Sequence, residues 1–395
     1  MSRRLAVSVL LLAVLCLRPP QAPTASSAGG KLRDATAGQA ERFADAFGEV
    51  EKWIADKAFP GAVLAVGQHG SLVVLKAFGW PDYSPGTKPE RTNEIFDMAS
   101  VSKVVATTTA AAILYERGRL SLEAPVIGYV PEFAGTPMHE DITVRHLLSH
   151  SSGLHVQARL WGEARNRAEL LQRVHQLQLA SKPGEKAQYR DYNMILMGEI
   201  VERVTGQPLD RFLRRGVFGP LRMKDTGYNP SKRKLPRIAP TEFDKALRNR
   251  LVRGQVHDEN CYVMGGVCGH AGLFSTARDL AVFAQMMLNE GIYGGKRILK
   301  EETVRLFTAR QPSPEGTTRA LGWDTPSPGC WAGERASARA FMHTGFTGTS
   351  IYIDPERDAF VVLLTNRVHP TRDNGKISQA RPAIHTAVLS ALDRQ

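Results

Sequence analysis

The sequence predicts an α+β fold in which both ends of the chain build one antiparallel β-sheet, flanked by helices, with an all-helical segment inserted between the ends. Three observations predict this arrangement. Strand-like apolar runs occur near both termini, and helical apolar periods occupy the middle. The chain of 395 residues, 43% of them hydrophobic, is also long enough to bury a large core.

Residues 1–28 predict a secretory signal peptide. A basic start is followed by an apolar run from Leu5 to Leu17, and residues 25–28 are small enough for a cleavage site. A helix of that length spans about 20 Å, less than the roughly 30 Å of a hydrocarbon core. We therefore expect a periplasmic or secreted protein without a stable membrane span. A twin-arginine signal, a lipid anchor at Cys16 and a retained N-terminal anchor are the alternatives.

The first elements of the folded domain follow the leader. Ala40 to Ala58 has a 3.6-residue apolar period and ends at Pro60-Gly61, which predicts an amphipathic helix. Ala62 to Val66 and Leu72 to Leu75 predict a β-hairpin. Ser100 to Glu116 is apolar on nearly every face, which predicts a buried helix that begins the inserted part.

The remaining elements divide the domain into two parts. Helical periods occupy residues 170–179, 194–204, 209–218, 280–288 and 377–392, and strand signals return at 337–342, 349–353 and 360–366. We expect one domain from 40 to 395. Its mixed part covers about 40–99 and 265–395, its helical part covers about 100–264, and a site lies in the cleft between them.

The charge pattern argues against a nucleic-acid partner. The formal net charge is +12, and loss of residues 1–28, which hold three arginines and no acid, leaves +9. The densest basic stretches, at 231–234 and 248–250, lack interleaved aromatic residues that could stack on bases. A basic exported protein is drawn instead to an anionic cell envelope. The sequence does not indicate an oligomeric state.

No metal or other cofactor is expected. His146 and His150 are four residues apart and His155 follows, but no glutamate lies between the first two as in a metalloprotease helix. The six residues between Cys261 and Cys268 match no zinc-site spacing. At most one internal disulfide can form in the mature chain, which keeps three cysteines: Cys261, Cys268 and Cys330.

Ser100 and Lys103 are candidates for a nucleophile and its base. Residues at i and i+3 share a helix face, so the Lys103 amine can lie beside the Ser100 hydroxyl. A lysine screened from water has a lowered pKa, and it can then accept the serine proton. A solvated helix face is the alternative interpretation of this short pattern.

Tyr189 and Asp191 form the second candidate element. In an extended loop, residues at i and i+2 point the same way, so the phenol and the carboxylate can both face the cleft. The phenol could relay a proton, and the carboxylate could hold Lys103. A surface tyrosine with an N-capping aspartate is the alternative. A register that uses Tyr192 with Asn193 is less favoured, because adjacent residues point to opposite sides.

His343-Thr344-Gly345 is the third candidate element. A backbone N–H beside a glycine on an edge strand, opposite the N–H of Ser100, makes an oxyanion hole. The glycine allows the substrate to approach the main chain. His343 could supply a hydrogen-bond donor or a partial positive charge, or it could be a turn histidine that closes a hairpin.

In this order, Ser100-x-x-Lys103, Tyr189-x-Asp191 and His343-Thr344-Gly345 resemble the serine penicillin-recognising enzymes. That family comprises class C β-lactamases, low-mass penicillin-binding DD-peptidases and related esterases. The resemblance runs from about Gly61 to the end of the chain. It includes two further segments, Thr143 to Leu154 and Gly269 to Leu280.

The resemblance implies a β-lactamase/transpeptidase-like fold and an acyl-enzyme at Ser100. It implies that Lys103 and Tyr189 share the general-base and proton-relay work, and that the N–H groups of Ser100 and Phe346 bind the oxyanion. Asp191 stands where many members have asparagine, and His343 takes the place held by lysine in the Lys-Thr-Gly form. Both differences suit a peptidase or esterase better than an efficient β-lactamase.

The sequence therefore predicts an exported serine hydrolase that acts on D-alanyl peptides of the cell wall. A β-lactamase or a hydrolase of small esters is the alternative within the class, so the substrate is a wall peptide, a β-lactam or an ester. The alternative from another class is a non-catalytic envelope module that binds wall peptides. A metallohydrolase is the least favoured interpretation.

Overall fold

The computed structural model describes residues 29–155 and 159–394. The predicted signal peptide lies outside the described residues and stays a prediction. Within the described ranges, no helix combines the length and the apolar character needed to cross a membrane.

Both termini contribute strands and helices, and helices dominate the middle. The strands are β1 (Arg33–Asp34), β2 (Gly61–Gln68), β3 (Ser71–Gly79), β4 (Phe96–Asp97), β5 (Gly227–Tyr228), β6 (Phe243–Asp244), β7 (Arg250–Leu251), β8 (Leu273–Ser275), β9 (Ile292–Tyr293), β10 (Lys296–Arg297), β11 (Phe341–Thr344), β12 (Ser350–Asp354) and β13 (Ala359–Thr365). The α-helices are α1 (Ala44–Ala55), α2 (Thr109–Glu116), α3 (Val144–Leu148), α4 (Arg167–His175), α5 (Asp191–Thr205), α6 (Leu209–Leu213), α7 (Glu259–Val263), α8 (Ala277–Leu288), α9 (Glu301–Thr308) and α10 (Ile377–Asp393).

The central sheet joins the two ends of the chain, as predicted. Its strand order is β1-β3-β2-β13-β12-β11, and every pairing is antiparallel except that of β1 with β3. The strand expected at 337–342 begins later, at Phe341, because the segment before it turns: the Ala340 N–H donates to the Ser337 carbonyl. Strand β11 ends the strand order of the sheet. On its outer side Met342 exchanges two backbone hydrogen bonds with Asp324, and the residues from His343 to Gly345 line a cleft.

The sheet is buried on both faces. On β2, Val63 and Ala65 belong to the core shared with α2, α5 and α8, whereas Leu64 and Val66 belong to the core under α1 and α10. Side chains alternate between faces along a strand, so covering both faces requires continuous apolar runs. This explains why the strands contain uninterrupted Val, Leu and Ala.

The inserted part is helical in its main elements and also carries the two-residue strands β5, β6 and β7. Its first helix, predicted from 100 to 116, widens into a π-helical turn at Lys103–Thr108 before α2. Such π turns are often found at functional sites. Here the turn begins at the lysine of the first candidate motif.

Candidate active site

Ser100 follows a strained turn at the end of β4. Strand β4 pairs with β8, and the Met98 N–H donates to the Leu273 carbonyl over 2.9 Å. Ala99 then has a φ of +44°, which is unfavourable for a residue with a Cβ. The turn is held by Asp97, whose Oδ1 atom accepts from the Ala99 N–H over 2.8 Å.

Asp97 also connects this turn to a distant segment. Its Oδ2 atom accepts from the His257 N–H over 2.6 Å. The carboxyl group is buried, and burial raises its pKa although the two backbone donors oppose the shift. Asp97 was not among the residues predicted from sequence, and it fixes the position of Ser100 from within the core.

Lys103 lies beside Ser100 and has two hydrogen-bond acceptors and one ion-pair partner. Its Nζ atom donates to Ser100 Oγ over 2.7 Å and to the His270 carbonyl over 2.9 Å, and it lies 2.7 Å from Asp191 Oδ1. Two accepted hydrogen bonds and the adjacent carboxylate favour the charged form of the amine.

The pKa of Lys103 is raised, so the expectation of a lowered pKa is wrong. Burial by itself lowers the pKa of this amine, but the negative charge of Asp191 and the nearby Tyr189 outweigh burial. The N-cap of α5 is Arg190, and Asp191 is the first residue of the helix itself. It is therefore a partner of Lys103 rather than a helix cap.

Tyr189 is a buried neighbour of the same group. The Lys103 Nζ atom is 4.9 Å from the centroid of its ring, and Tyr189 lines the cleft together with Ser100. Among the residues that the structure describes, the buried Tyr189 hydroxyl has no hydrogen-bond partner. Burial raises the pKa of Tyr189, and the positive charge of Lys103 offsets this only in part. Tyr192 lies in the core, and Asn193 accepts from Ser152 Oγ over 2.6 Å. These contacts give no support to the Tyr192–Asn193 register.

The His343-Thr344-Gly345 segment ends β11 and packs against the nucleophile turn. A Cβ on Gly345 would overlap the hydroxyl of Thr349 and the carbonyl of Met98. The Thr349 hydroxyl itself donates to the Met98 carbonyl over 3.0 Å. Gly345 is thus required by close packing of the two chain segments that carry the candidate oxyanion donors.

His343 is neutral, so the expectation that it supplies positive charge is wrong. Burial lowers the pKa of its imidazole to about 3, and the charges of Lys103 and Arg319 act in the same direction. Its Nδ1 atom lies 2.8 Å from the Thr344 carbonyl. Nδ1 therefore carries the proton, and Nε2 remains an acceptor.

The N–H groups of Ser100 and Phe346 are available to a ligand. Both residues line the same cleft. Among the residues that the structure describes, neither backbone N–H donates a hydrogen bond. Two such donors on one cleft are the arrangement that an oxyanion hole requires.

The cleft has a volume of about 460 Å³ and is rich in arginine. Arg381, on α10, is 8% exposed, and its Nη2 atom lies 3.4 Å from the Gly345 carbonyl and 3.3 Å from the Thr349 carbonyl. Burial, with the charge of Arg367, lowers its pKa to about 10. In the described ranges no carboxylate forms an ion pair with Arg381.

Arg319 and Arg367 also line the cleft, together with one acid, Asp324, whose Oδ1 atom lies 4.0 Å from Arg319 Nη1. The Arg319 guanidinium lies 5.3 Å from the centroid of the Tyr189 ring. Arg367 Nε donates to the Phe346 carbonyl over 2.7 Å. No sequence motif marked these arginines, because each comes from a different element and only the fold brings them to Ser100.

An ion pair between the buried His270 and the partly exposed Asp258 lies next to Lys103. His270 Nε2 lies 2.8 Å from Asp258 Oδ1, and the His270 carbonyl accepts from Lys103. Burial would lower the pKa of His270, but Asp258 raises it to about 10. The same pairing lowers the pKa of Asp258. His270 lies in the segment from Gly269 to Leu280 that resembles the family, and this resemblance was the feature of the sequence that pointed to it.

The histidines considered as metal ligands have other contacts. His146 Nδ1 accepts from the Thr143 N–H over 3.2 Å and caps α3. His150 Nδ1 accepts from the backbone N–H of Arg190 over 3.3 Å. In the described part of the chain, one acidic group has metal-like spacing, and arginines pair with its members: Glu242, Asp244 and Glu259. The cysteines of the described ranges are free thiols.

Comparisons with known proteins identify the family of this chain. The family model described as Beta-lactamase matches residues 40–384. A protein of Escherichia coli (strain K12) named "Putative D-alanyl-D-alanine carboxypeptidase" is 33% identical, over 83% of this chain and 84% of its own. A protein of Bacillus subtilis (strain 168) named "N-acetylmuramyl-L-alanine amidase" is 35% identical, over 79% of this chain and 78% of its own.

The fold agrees as well. A crystal structure of a β-lactamase from Sulfitobacter sp. EE-36 superposes with a TM-score of 0.72 at 21% identity, and it covers 91% of this chain and all of that one. The arrangement is therefore β-lactamase/transpeptidase-like, as predicted. By the match of its family model and of its curated relatives, this chain belongs to the β-lactamase family of serine hydrolases.

Proposed function

We propose that this protein is an exported D-alanyl-D-alanine carboxypeptidase that forms an acyl-enzyme at Ser100 and acts on cell-wall peptides. The observation that carries the proposal is the arginine-rich lining beside Ser100. A carboxypeptidase substrate places a free carboxylate one residue beyond the scissile bond, and Arg319, Arg367 and Arg381 supply cations where that group would lie.

Acylation uses the Ser100–Lys103–Tyr189 group. Ser100 Oγ attacks the carbonyl carbon of the penultimate D-alanine, and the hydroxyl proton passes to the Tyr189–Lys103 pair. Because the pKa values of both residues are raised, the reactive form with one proton removed is a minor species at neutral pH. The rate of acylation should therefore rise with pH.

The remaining steps use the backbone donors and the same proton. As the Oγ–C bond forms, the carbonyl oxygen becomes an oxyanion that accepts hydrogen bonds from the N–H groups of Ser100 and Phe346. The C–N bond then breaks, the leaving amine takes the proton from Tyr189, and D-alanine departs. Water attacks the ester and restores Ser100 by the same proton path.

The test is the release of D-alanine from a diacetylated tripeptide that ends in D-Ala-D-Ala. We expect stoichiometric release of one D-alanine per peptide, with no release by the Ser100→Ala variant. The C-terminal amide of the same peptide is the matched control, because it keeps the scissile bond but lacks the carboxylate. Equal hydrolysis of acid and amide would contradict the proposed role of the arginines.

A second candidate function is cleavage of the bond between muramic acid and L-alanine. The name of the Bacillus subtilis relative favours it. Incubation with a muramyl pentapeptide separates the two functions: a carboxypeptidase releases free D-alanine, whereas an amidase releases the intact pentapeptide. A β-lactamase would instead turn over a chromogenic cephalosporin and leave both peptide bonds intact. Cleavage of a nitrophenyl ester alone would indicate an esterase.

A further inference from the structure

An apolar patch with basic neighbours lies on the surface of the segment from 232 to 253. Phe243 and Leu251 are paired across β6 and β7, so their side chains share one face of the hairpin, and both are exposed. Leu247, in the loop between these strands, is exposed too. The Leu235 side chain, 41% exposed, lies against Gly254, just beyond this hairpin. We call these four residues the hairpin patch.

Within the segment from 232 to 253, the charges at the surface are of one sign. The segment from 232 to 253 contains eight lysines and arginines and two acids. Both acids are buried: Glu242 pairs with Arg372, and Asp244 pairs with Arg248. The exposed charges of this segment are therefore cationic, namely Lys232, Arg233, Lys245 and Arg250, and Asp373 is an exposed acid on the neighbouring segment that pairs with Phe243 through Pro370.

Exposed Leu and Phe side chains are common one at a time, but a group of them surrounded by cations indicates an interaction surface. A soluble polyanion would contact the cations and leave the apolar side chains in water. A second copy of this chain would bring like charges together. An anionic bilayer satisfies both features, because the headgroups attract the cations while the acyl boundary accepts the apolar side chains.

We propose that the hairpin patch docks the protein peripherally on an anionic lipid surface. Leu247, Phe243 and Leu251 enter the boundary between headgroups and acyl chains, and Lys245 and Arg250 contact the phosphates. The contact is with one leaflet only. It does not depend on the proposed reaction, because none of these residues lines the cleft.

Tryptophan substitution at the hairpin tip tests insertion directly. The full chain with Leu247→Trp is mixed with vesicles of phosphatidylglycerol and phosphatidylcholine whose acyl chains carry bromine. We expect more fluorescence quenching than in the unsubstituted chain, in which only the native tryptophans respond. Little extra quenching is expected with pure phosphatidylcholine, and 0.5 M salt should reduce the difference in anionic vesicles, since salt screens the headgroup charge.

Further variants show whether vesicle binding depends on the hairpin patch or only on the net positive charge of the protein. Vesicle partitioning of Phe243→Ser/Leu247→Ser/Leu251→Ser should fall at least tenfold, and that of Lys245→Gln/Arg250→Gln about tenfold. Lys296→Gln/Lys300→Gln removes the same charge from another exposed site and should change partitioning less than twofold. No extra quenching of the tryptophan variant by anionic vesicles would overturn the proposal. Binding to polyglutamate without such quenching would also overturn it, in favour of a soluble polyanion.

Discussion

The Nζ atom of Lys103 lies 2.7 Å from Oδ1 of Asp191 while it donates to Ser100 Oγ. This contact keeps the pKa of Lys103 raised despite complete burial of the side chain. The resting site therefore holds an ammonium group and a neutral Tyr189, so the attack that we propose for Ser100 requires removal of one proton first.

The first prediction concerns the charge at Asp191. Asp191→Asn removes the negative charge that raises the pKa of Lys103, so burial then dominates and that pKa falls. The alkaline rise of kcat/KM, about tenfold per pH unit in the unsubstituted enzyme, should move to lower pH by about one unit or more. The pH profile of D-alanine release measures it. Asp34→Asn, at a remote exposed ion pair, should leave the profile unchanged. An unmoved profile in Asp191→Asn would show that Asp191 does not control the base.

Gly345 provides a test of the packing beside the oxyanion donors. Gly345→Ala should destabilise the protein by about 1–3 kcal/mol, because the new Cβ overlaps backbone and side-chain atoms that are themselves hydrogen-bonded. It should also reduce kcat by at least tenfold. Urea unfolding and steady-state kinetics measure the two effects. Gly128→Ala meets no atom within 4 Å and should change neither quantity.

The Asp258–His270 pair predicts a specific dependence of stability on pH. The pKa of His270 is about 10 in the folded protein and about 6.5 in an unfolded chain. Its contribution to stability is therefore complete below pH 6.5 and is lost as the pH rises through 10.

His270→Gln should remove this loss. The decrease in the free energy of unfolding between pH 7 and pH 10 should be smaller in the variant by about 2 kcal/mol, with allowance for solvent around the Asp258 side chain, which is 28% exposed. Urea titrations at the two pH values measure it. An identical decrease in both proteins would show that His270 is not charged in the fold.

If Arg381 binds the substrate carboxylate, its replacement should change KM for one of two matched substrates and not for the other. Arg381→Gln should raise KM about tenfold for a peptide with a free C-terminal carboxylate, because a charged hydrogen bond is lost. KM for the C-terminal amide of the same peptide should change little. A variant that had only lost packing would affect both substrates alike, so equal increases in KM would count against carboxylate recognition.

The sequence predicted those parts of the fold and the site that depend on local patterns. Continuous apolar strands at both ends predicted the sheet, and the three motifs predicted Ser100, Lys103, Tyr189 and Gly345 as neighbours, which the structure places together. Charge states were predicted less well. The shifts for Lys103 and His343 depend on burial and on through-space partners that no local spacing contains.

The residues that sequence reasoning missed share one property. Each depends on a tertiary contact: Asp97 binds the distant His257, and Arg319 and Arg381 reach the cleft from positions far from Ser100 in the chain. Their contribution depends on the tertiary packing of β4, of the segment before β11, and of α10. Of these residues, only Asp97 lies close to Ser100 in the sequence, three residues before it, so its position alone could have indicated a role at the site.

Acid-quenched intact mass spectrometry after exposure to benzylpenicillin tests the central claim, which is that Ser100 forms an acyl-enzyme. We predict a mass increase equal to one penicillin, located by peptide mapping on Ser100 and absent from Ser100→Ala. An adduct that persists in Ser100→Ala, or hydrolysis of D-Ala-D-Ala peptide by that variant, would contradict the account.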